Sequence, residues 1–170
     1  HDLRRPLTWA AVTRAGREVL SHRQSIGLIV SMTFIFGIMN AYLAGSEVIL
    51  SDIYGYGTWF PLFFGCIAVL FAAMSLINAR LVGRVGARHL IRREALVGVA
   101  TMGLLFVVSL VHGGRPNFWL LSVAIAVSIP MAQGLVPISN TLAMEPVPHV
   151  AGTASSIIGT ITFGGGALLG

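Results

Sequence analysis

The sequence predicts an all-α membrane protein with about five transmembrane helices. Hydrophobic residues make up 55% of the 170 residues and charged residues only 10%, which is more apolar than a soluble domain of this length can bury. Five apolar runs are long enough to cross a bilayer, and none shows the alternation of a membrane β-barrel. Because backbone groups in lipid must bond within their own segment, these runs are predicted to be helices.

The net charge of +5 does not indicate a nucleic-acid-binding protein. All eleven basic residues are arginine, and all except Arg115 lie in two clusters beside apolar runs, without an interleaved aromatic surface for base stacking. The single cysteine, Cys66, lies inside an apolar run, so no disulfide framework is expected. The five histidines lack metal-ligand spacing on any one helix face, and neither a metal nor another cofactor is predicted.

The chain begins with an amphipathic segment, residues 1–24, in which leucine and valine are interrupted by five arginines. Such a segment is expected to lie along the cytoplasmic face of the membrane, in contact with lipid headgroups. Since the chain opens with His1 and closes inside an apolar run at Gly170, we expect it to be a fragment of a longer protein.

The first predicted span, residues 25–50, carries polar candidates on a helical face that includes Phe36, Asn40 and Glu47. Asn40 either lines a substrate cavity or bonds a neighbouring helix. Tyr42 either stacks on a substrate or packs in the interior. Glu47, near the outer end of the span, is a candidate vestibule or coupling acid.

The second and third spans, residues 59–77 and 95–111, flank a segment with five arginines, Asn78 to Glu94. Arginine is retained on the cytoplasmic side of membranes, so this segment is predicted to be a cytoplasmic loop. Counting spans from it places the arginine-rich N-terminal segment inside as well. Two separate clusters therefore predict the same topology.

The fourth span, residues 118–144, places Gln133, Pro137 and Asn140 on one face, with Pro130 upstream. Kinked helices in transporters free backbone carbonyls near the binding region, so this face is predicted to form a cavity wall. The fifth span, residues 150–170, has small residues at intervals of four that allow close helix packing. These residues are Gly152, Ser156, Thr160 and Gly164.

The acidic residues other than Glu47 are assigned to loops or span ends. They are Asp2, Glu18, Asp52, Glu94 and Glu145. No carboxylate is therefore expected deep in these spans. If the protein is driven by protons, the coupling acid is expected in a part of the protein outside this chain.

One motif resembles a known family. In "ARLVGRVGARHLI" four residues match the second copy of the cytoplasmic loop motif of the major facilitator superfamily, namely Leu81, Arg84, Gly86 and Arg88. Ala79 and Gly83 depart from it, and Gly83 replaces the aspartate of the usual charge latch. The stretches "FGIMNAYLAGSEVIL", "FPLFFG", "LINARLV", "GLVPISN" and "AGTASSIIG" resemble the C-terminal half of Bcr/CflA-type drug-resistance antiporters.

The resemblance implies part of the C-terminal six-helix bundle of a twelve-helix major facilitator fold. It further implies proton-coupled export of drugs or small amphipathic metabolites across a bacterial plasma membrane, by alternating access against the missing N-terminal half. An uptake symporter of the same fold and a small non-transporting membrane subunit are the alternatives. An intramembrane enzyme is disfavoured, because the serines lack a nucleophile elbow and no catalytic cluster is readable.

Overall fold

The computed structural model describes residues 9–114 and 116–170, and these residues form helices joined by short turns. The helices are α1 (Trp9–Val19), α2 (Arg23–Val48), α3 (Phe60–Val85), α4 (Ala87–Val111), α5 (Phe118–Met144) and α6 (Ala151–Leu169). A π turn, Ile49–Ile53, extends α2, and short 3-10 turns, Gly57–Trp59 and Pro148–Val150, precede α3 and α6. Arg115 and the first eight residues of the predicted N-terminal segment lie outside the described residues.

Five of these helices, α2 to α6, are long and apolar enough to cross a membrane. This confirms the predicted all-α membrane protein and its number of spans. Most large apolar side chains of α3 and α4 are exposed in the isolated chain, as expected for surfaces that meet lipid or further protein. The chain therefore forms a bundle of membrane-spanning helices, unlike a soluble domain, which buries most of its large apolar side chains.

The arginine segment is helical, and not the loop that the sequence predicts. Helix α3 continues to Val85 and α4 already begins at Ala87, with only Gly86 between them. The charges end the hydrophobic run and so shorten the predicted spans, but arginine is a good helix former and does not end a helix. The arginines consequently project from the two helix ends around a one-residue turn.

Gly86 makes this turn possible. Its φ of 81° and ψ of 145° lie in a region that residues with a Cβ avoid. Its N–H bonds Val82 O at 3.1 Å, and its carbonyl accepts from Leu90 N at 3.1 Å, so one residue terminates α3 and starts α4. The glycine of the loop motif is thus required by backbone geometry.

Replacing Gly86 with alanine is expected to destabilise the protein by about 1–3 kcal/mol, because the backbone would be strained in that conformation. Gly83→Ala is the matched control, since Gly83 lies inside α3 with open space around its Cα. That change is expected to raise stability by about 1 kcal/mol, the usual gain for Gly to Ala in a helix. Thermal unfolding in lipid nanodiscs measures both, and equal shifts for the two variants would contradict the strain.

The centre of the bundle is α5, which packs against α2, α3 and α4, while α6 packs along α2. Near one end, buried residues of four helices and of the connector after α5 form a common apolar cluster. These are Val19, Ile29, Met32, Ala143, Val147, Ala154 and Ile158. Helix α1 joins the bundle through Val19, which is fully buried, while Trp9 at its other end is exposed.

Helices α2 and α6 make the most extensive contact among the described helices, and its tightest point is at Gly166. A Cβ on Gly166 would lie 2.5 Å from Phe36 Cβ and 3.1 Å from the backbone nitrogen of Gly37. The buried face of α6 consists of Ala154, Ile158, Thr162 and Gly166. Gly152, Ser156, Thr160 and Gly164, which the sequence predicts to allow close packing, are exposed in this bundle, so their role in packing stays a prediction.

The physical reason is helical rotation. Residues two positions apart differ by about 200° around a helix. The row of residues spaced by four that starts at Gly152 therefore faces away from the row that starts at Ala154. Both rows consist of small or apolar residues, and spacing alone does not show which one is buried.

The connectors meet at opposite ends of the bundle. Tyr54, between α2 and α3, donates from its hydroxyl to Pro116 O at 2.6 Å, which ties this connector to the one between α4 and α5. At the other end the start of α2, the start of α4 and the residue after α5 come together through Gln24, Arg88 and Glu145. This alternation agrees with the order of spans predicted from the arginine clusters.

Candidate functional site

Two adjoining cavities lie between α2, α3 and α5. Their volumes are about 140 Å³ and about 230 Å³, and both are bordered by Tyr42, Phe64 and Ile67. The smaller is completed mainly by Met39, Phe71 and Gln133, and the larger by aromatic and small side chains of α3 and α5. Apolar walls with few polar groups are typical of sites for small amphipathic molecules.

Tyr42 stands between the two cavities. Its ring lies nearly parallel to that of Phe64, with an angle of 6° between the planes and 6.1 Å between the centroids. The side chain is half-buried and borders both cavities. This position agrees with either role that the sequence leaves open for Tyr42, stacking on a substrate or packing in the interior.

Gln133 is the main polar side chain of the smaller cavity. Its Nε2 lies 3.5 Å from Ile35 O, a long contact that holds the amide loosely. Pro137, four residues later, lacks the N–H that would normally bond the carbonyl of Gln133. Pro130 does the same for the carbonyl of Ala126, which borders the larger cavity. The two prolines of α5 therefore leave two backbone carbonyls without their usual helical hydrogen bond, at residues that border the cavities.

Four of the predicted cavity residues lie elsewhere. Phe36 packs on Phe163 with ring centroids 4.1 Å apart, and Asn40 donates from Nδ2 to Phe36 O of its own helix at 3.0 Å. Phe36 and Asn40 share one face of α2, and Tyr42 lies on the opposite face, about 200° from Asn40 around the helix. Pro137 is exposed and Asn140 half-buried, and neither borders these cavities, since they lie further along α5 than Gln133.

Glu47 is exposed on α2, whereas its neighbour Ser46 is buried. Ser46 borders the larger cavity, and its buried hydroxyl has no hydrogen-bond partner among the described residues. Sequence reasoning missed Ser46 because serine is unremarkable in a membrane helix. Its position makes Ser46 a candidate for contact with a ligand. The exposed Glu47 borders neither cavity.

Glu94 is buried in the bundle, whereas the sequence assigned it to a loop or a span end. It is only 5% exposed, and its Oε2 accepts from Nδ2 of Asn78, which is 2% exposed, at 3.0 Å. The expectation failed because the arginines before Glu94 made it look like a residue at a span end. The available signal was Asn78, a lone amide that closes an apolar run in "LIN".

The loop motif residues lie around the α3–α4 turn. Leu81 and Arg84 are in the last turns of α3, Gly86 is the turn itself, and Arg88 is the second residue of α4. Arg88 Nη2 lies 3.2 Å from Glu145 Oε2. Arg88 therefore pairs with the acid that follows α5, while position 83, where the motif usually has aspartate, is a glycine.

Gln24 completes this cluster. Its Nε2 donates to Glu145 Oε2 at 3.2 Å and to Leu142 O at 3.0 Å, while its Oε1 accepts from Arg88 at 3.3 Å. The hydrogen bond from Gln24 and the hydrogen bond and charge of Arg88 lower the pKa of the Glu145 carboxyl. The cluster ties the ends of α2, α4 and α5 together in an exposed position.

Since the folded protein lowers the pKa of Glu145, the cluster stabilises the fold above the ordinary glutamate range and loses this effect as the pH falls through the lowered pKa. Glu145→Gln should therefore melt below the wild-type protein at neutral pH, by a small amount because the pair is exposed. The difference should vanish on acidification and shrink in high salt. A difference that stays constant with pH would contradict this assignment.

Comparison with known proteins gives a consistent result. A family model described as the Major Facilitator Superfamily matches residues 3–170. The chain is 28% identical to a bicyclomycin resistance protein homolog of Haemophilus influenzae, over 97% of this chain and 41% of that protein. It is 29% identical to the uncharacterized MFS-type transporter YdgK of Bacillus subtilis, over 85% of this chain and 35% of that protein. The chain thus spans less than half the length of these relatives. No solved structure matches it.

Proposed function

Because this chain belongs to the major facilitator superfamily, we propose that it forms part of the C-terminal half of a transporter that exports small amphipathic molecules in exchange for protons. The family transports solutes and is not enzymatic, so the intramembrane-enzyme alternative is excluded. The observation that carries the proposal is the pair of apolar cavities around Tyr42 and Gln133. The name of the Haemophilus relative, a bicyclomycin resistance protein homolog, favours drugs as cargo.

The cavities suit such cargo chemically. Tyr42 and Phe64 border both cavities and contribute aromatic rings for stacking. Gln133 adds an amide to the lining of the smaller cavity, and Ser46 is a polar residue at the larger one. No charged side chain borders either cavity in the described residues, so selectivity would rest on shape and apolar contact. This supports a broad range of amphipathic ligands and disfavours small, strongly hydrated ions.

The proposed mechanism is alternating access between two halves of the transporter, with this bundle moving against the missing N-terminal half. The exposed ladder of Gly152, Ser156, Thr160 and Gly164 on α6 would let a helix of that half approach closely. Residues Phe36, Asn40, Pro137 and Asn140, which border neither cavity here, remain candidates for the surface shared with it. Glu47 remains a candidate acid at the outer end.

We place the protein in a bacterial plasma membrane, with the N-terminal segment and the Arg88–Glu145 cluster on the cytoplasmic side. The support is the arginine content of that end and the bacterial source of both relatives. Lipid headgroups would then contact the exposed arginines of α1, α3 and α4.

The experiment uses the full open reading frame that contains this chain, in everted membrane vesicles with an amphipathic dye. Export by proton exchange predicts dye accumulation when the vesicle interior is acidic, and loss of accumulation when an ionophore collapses the pH gradient. Dye movement in the opposite sense would support an uptake symporter, and no flux would support a non-transporting subunit. The 170-residue chain alone is expected not to transport, because its cavity lacks the opposing wall.

A further inference from the structure

A buried acid and amide meet where α3, α4 and α5 come together, at the pair Glu94 and Asn78. Glu94 lies about two turns into α4, and Asn78 lies two turns before the end of α3. The single hydrogen bond between them runs from Asn78 Nδ2 to Glu94 Oε2, at 3.0 Å. Both side chains are at least nine-tenths buried.

The second oxygen of each group has no partner. Glu94 Oε1 and Asn78 Oδ1 are both buried and make no hydrogen bond in the described structure. An ionised carboxylate only accepts hydrogen bonds, and so does an amide oxygen, so the ionised pair leaves both atoms unsatisfied. Each buried polar atom left in this way costs about 1–3 kcal/mol, and more when it is charged.

One proton removes both deficits. A protonated carboxyl is a donor as well as an acceptor, and an acid and a primary amide can bond reciprocally through their two pairs of atoms. We propose that Glu94 and Asn78 form a proton-binding site, in which the protonated Glu94 carboxyl donates to Asn78 Oδ1 while accepting from Asn78 Nδ2. When the proton leaves, the charge stays on Glu94 and the donated bond is lost.

No counter-charge stabilises an ionised Glu94. Within the described residues no cation lies within ion-pair distance of it, since the ion pairs join Arg88 to Glu145 and His149 to Glu18. Helix α5 carries no ionisable side chain at all. The ionisable residues of the other neighbouring helices are exposed, apart from Tyr42, which lies at the cavities described above. They are Arg23 and Glu47 of α2, Cys66, Arg80 and Arg84 of α3, and Arg88, His89, Arg92 and Arg93 of α4.

The site is closely packed on one side and borders a cavity on another. Gly134 of α5 lies against the amide, and a Cβ there would be 2.5 Å from Asn78 Nδ2. Glu94 also borders a separate cavity of about 310 Å³ between α2, α4 and α5. Ser31, Ser128 and Ser139 also border that cavity, and the buried Ser128 hydroxyl has no partner among the described residues. A cavity of this size beside polar residues has room for water, which is the expected source of the proton.

A coupling role for this proton rests on the proposed export function, whereas the proton site itself does not. If export is proton-driven, Glu94 supplies within this chain the acid that sequence reasoning assigned to the missing part. Ionisation would place a charge at the α3–α4–α5 contact, favouring a state in which water reaches it.

Infrared spectroscopy of the full-length protein in lipid nanodiscs tests the proton site without transport. At neutral pH we expect a carbonyl band of a protonated carboxyl that Glu94→Gln removes. The exposed acid of the π turn provides the control, since Asp52→Asn should leave the band unchanged. A wild-type spectrum without a Glu94-dependent band at neutral pH would overturn the proposal.

Glu94→Gln should fold, because two amides can keep both hydrogen bonds of the pair. If it does not, Gly134→Ala tests the same site, because the new Cβ displaces the Asn78 amide and should move the band. An unmoved band in that variant would also overturn the pairing.

Vesicle transport tests the coupling role. Dye accumulation driven by the pH gradient is expected to fall at least about tenfold in Glu94→Gln, a change of about 1.4 kcal/mol, and to be retained in Asp52→Asn. Accumulation equal to wild type would overturn coupling through Glu94. If the wild-type protein moves no dye, the export proposal fails while the infrared result still decides the proton site.

Discussion

Gly166→Ala is expected to lower stability by about 3 kcal/mol, the upper end of the usual cost of overpacking. The added methyl group would lie 2.5 Å from Phe36 Cβ and 3.1 Å from the backbone nitrogen of Gly37. A side chain could move aside, but here the backbone of α2 is in the way, so α2 and α6 must separate. That separation would open the most extensive helix contact of the bundle.

Thermal unfolding in lipid nanodiscs measures the effect, and a loss of about 3 kcal/mol corresponds to a decrease in Tm of roughly 6–12 °C. Gly103→Ala is the matched control, because Gly103 is exposed in α4 and has nothing within 4 Å of a Cβ. Its Tm should stay level or rise slightly. Similar melting of the two variants would show that α2 and α6 are not closely packed at Gly166.

Ala68→Phe is expected to abolish most ligand binding while leaving the fold intact. Ala68 is partly open to the surface but borders the smaller cavity together with Gln133, and a phenyl ring turned inward would occupy much of its volume of about 140 Å³. A ligand that stacks on Tyr42 would lose its place beside Phe64 and Gln133. We expect affinity for an amphipathic dye to fall about tenfold or more, which is about 1.4 kcal/mol.

Dye binding to the full-length protein, measured by fluorescence titration, checks this prediction. Ala73→Phe places the same ring on the same helix at an exposed position that borders neither cavity. It should bind dye as the wild-type protein does and show the same Tm as Ala68→Phe. Undiminished binding by Ala68→Phe would place the substrate site outside the α2–α3–α5 cavities.

The candidate site was only partly predictable. Tyr42 and Gln133 stood out because an aromatic hydroxyl and an amide are unusual in apolar runs, and the structure places both at one cavity. Asn40 stood out for the same reason, and Phe36 because it shares a helical face with Asn40. Both face α6, since residue type does not give the direction of a side chain around the helix. Ser46 and Phe64 gave no signal, because serine and phenylalanine are ordinary in membrane helices.

The arginine segment led to one correct prediction and one wrong one. The five arginines between Asn78 and Glu94 correctly marked one end of the bundle, where Arg88 meets Glu145. They also made the predicted spans shorter than α3 and α4, because charged residues end an apolar run but do not end a helix. Glu94 was therefore assigned to a span end, although it is buried against Asn78.

The sequence by itself determined that this is a membrane protein, that its spans are helices and how many there are. These properties depend on segment composition, because lipid requires an apolar surface and a backbone that satisfies its own hydrogen bonds. Only the tertiary structure decided which face of each helix is buried, that Gly166 rather than Gly164 meets α2, and that Glu94 meets Asn78. Those outcomes depend on contacts between helices distant in sequence, where a rotation of one residue, about 100°, changes the neighbour of every side chain.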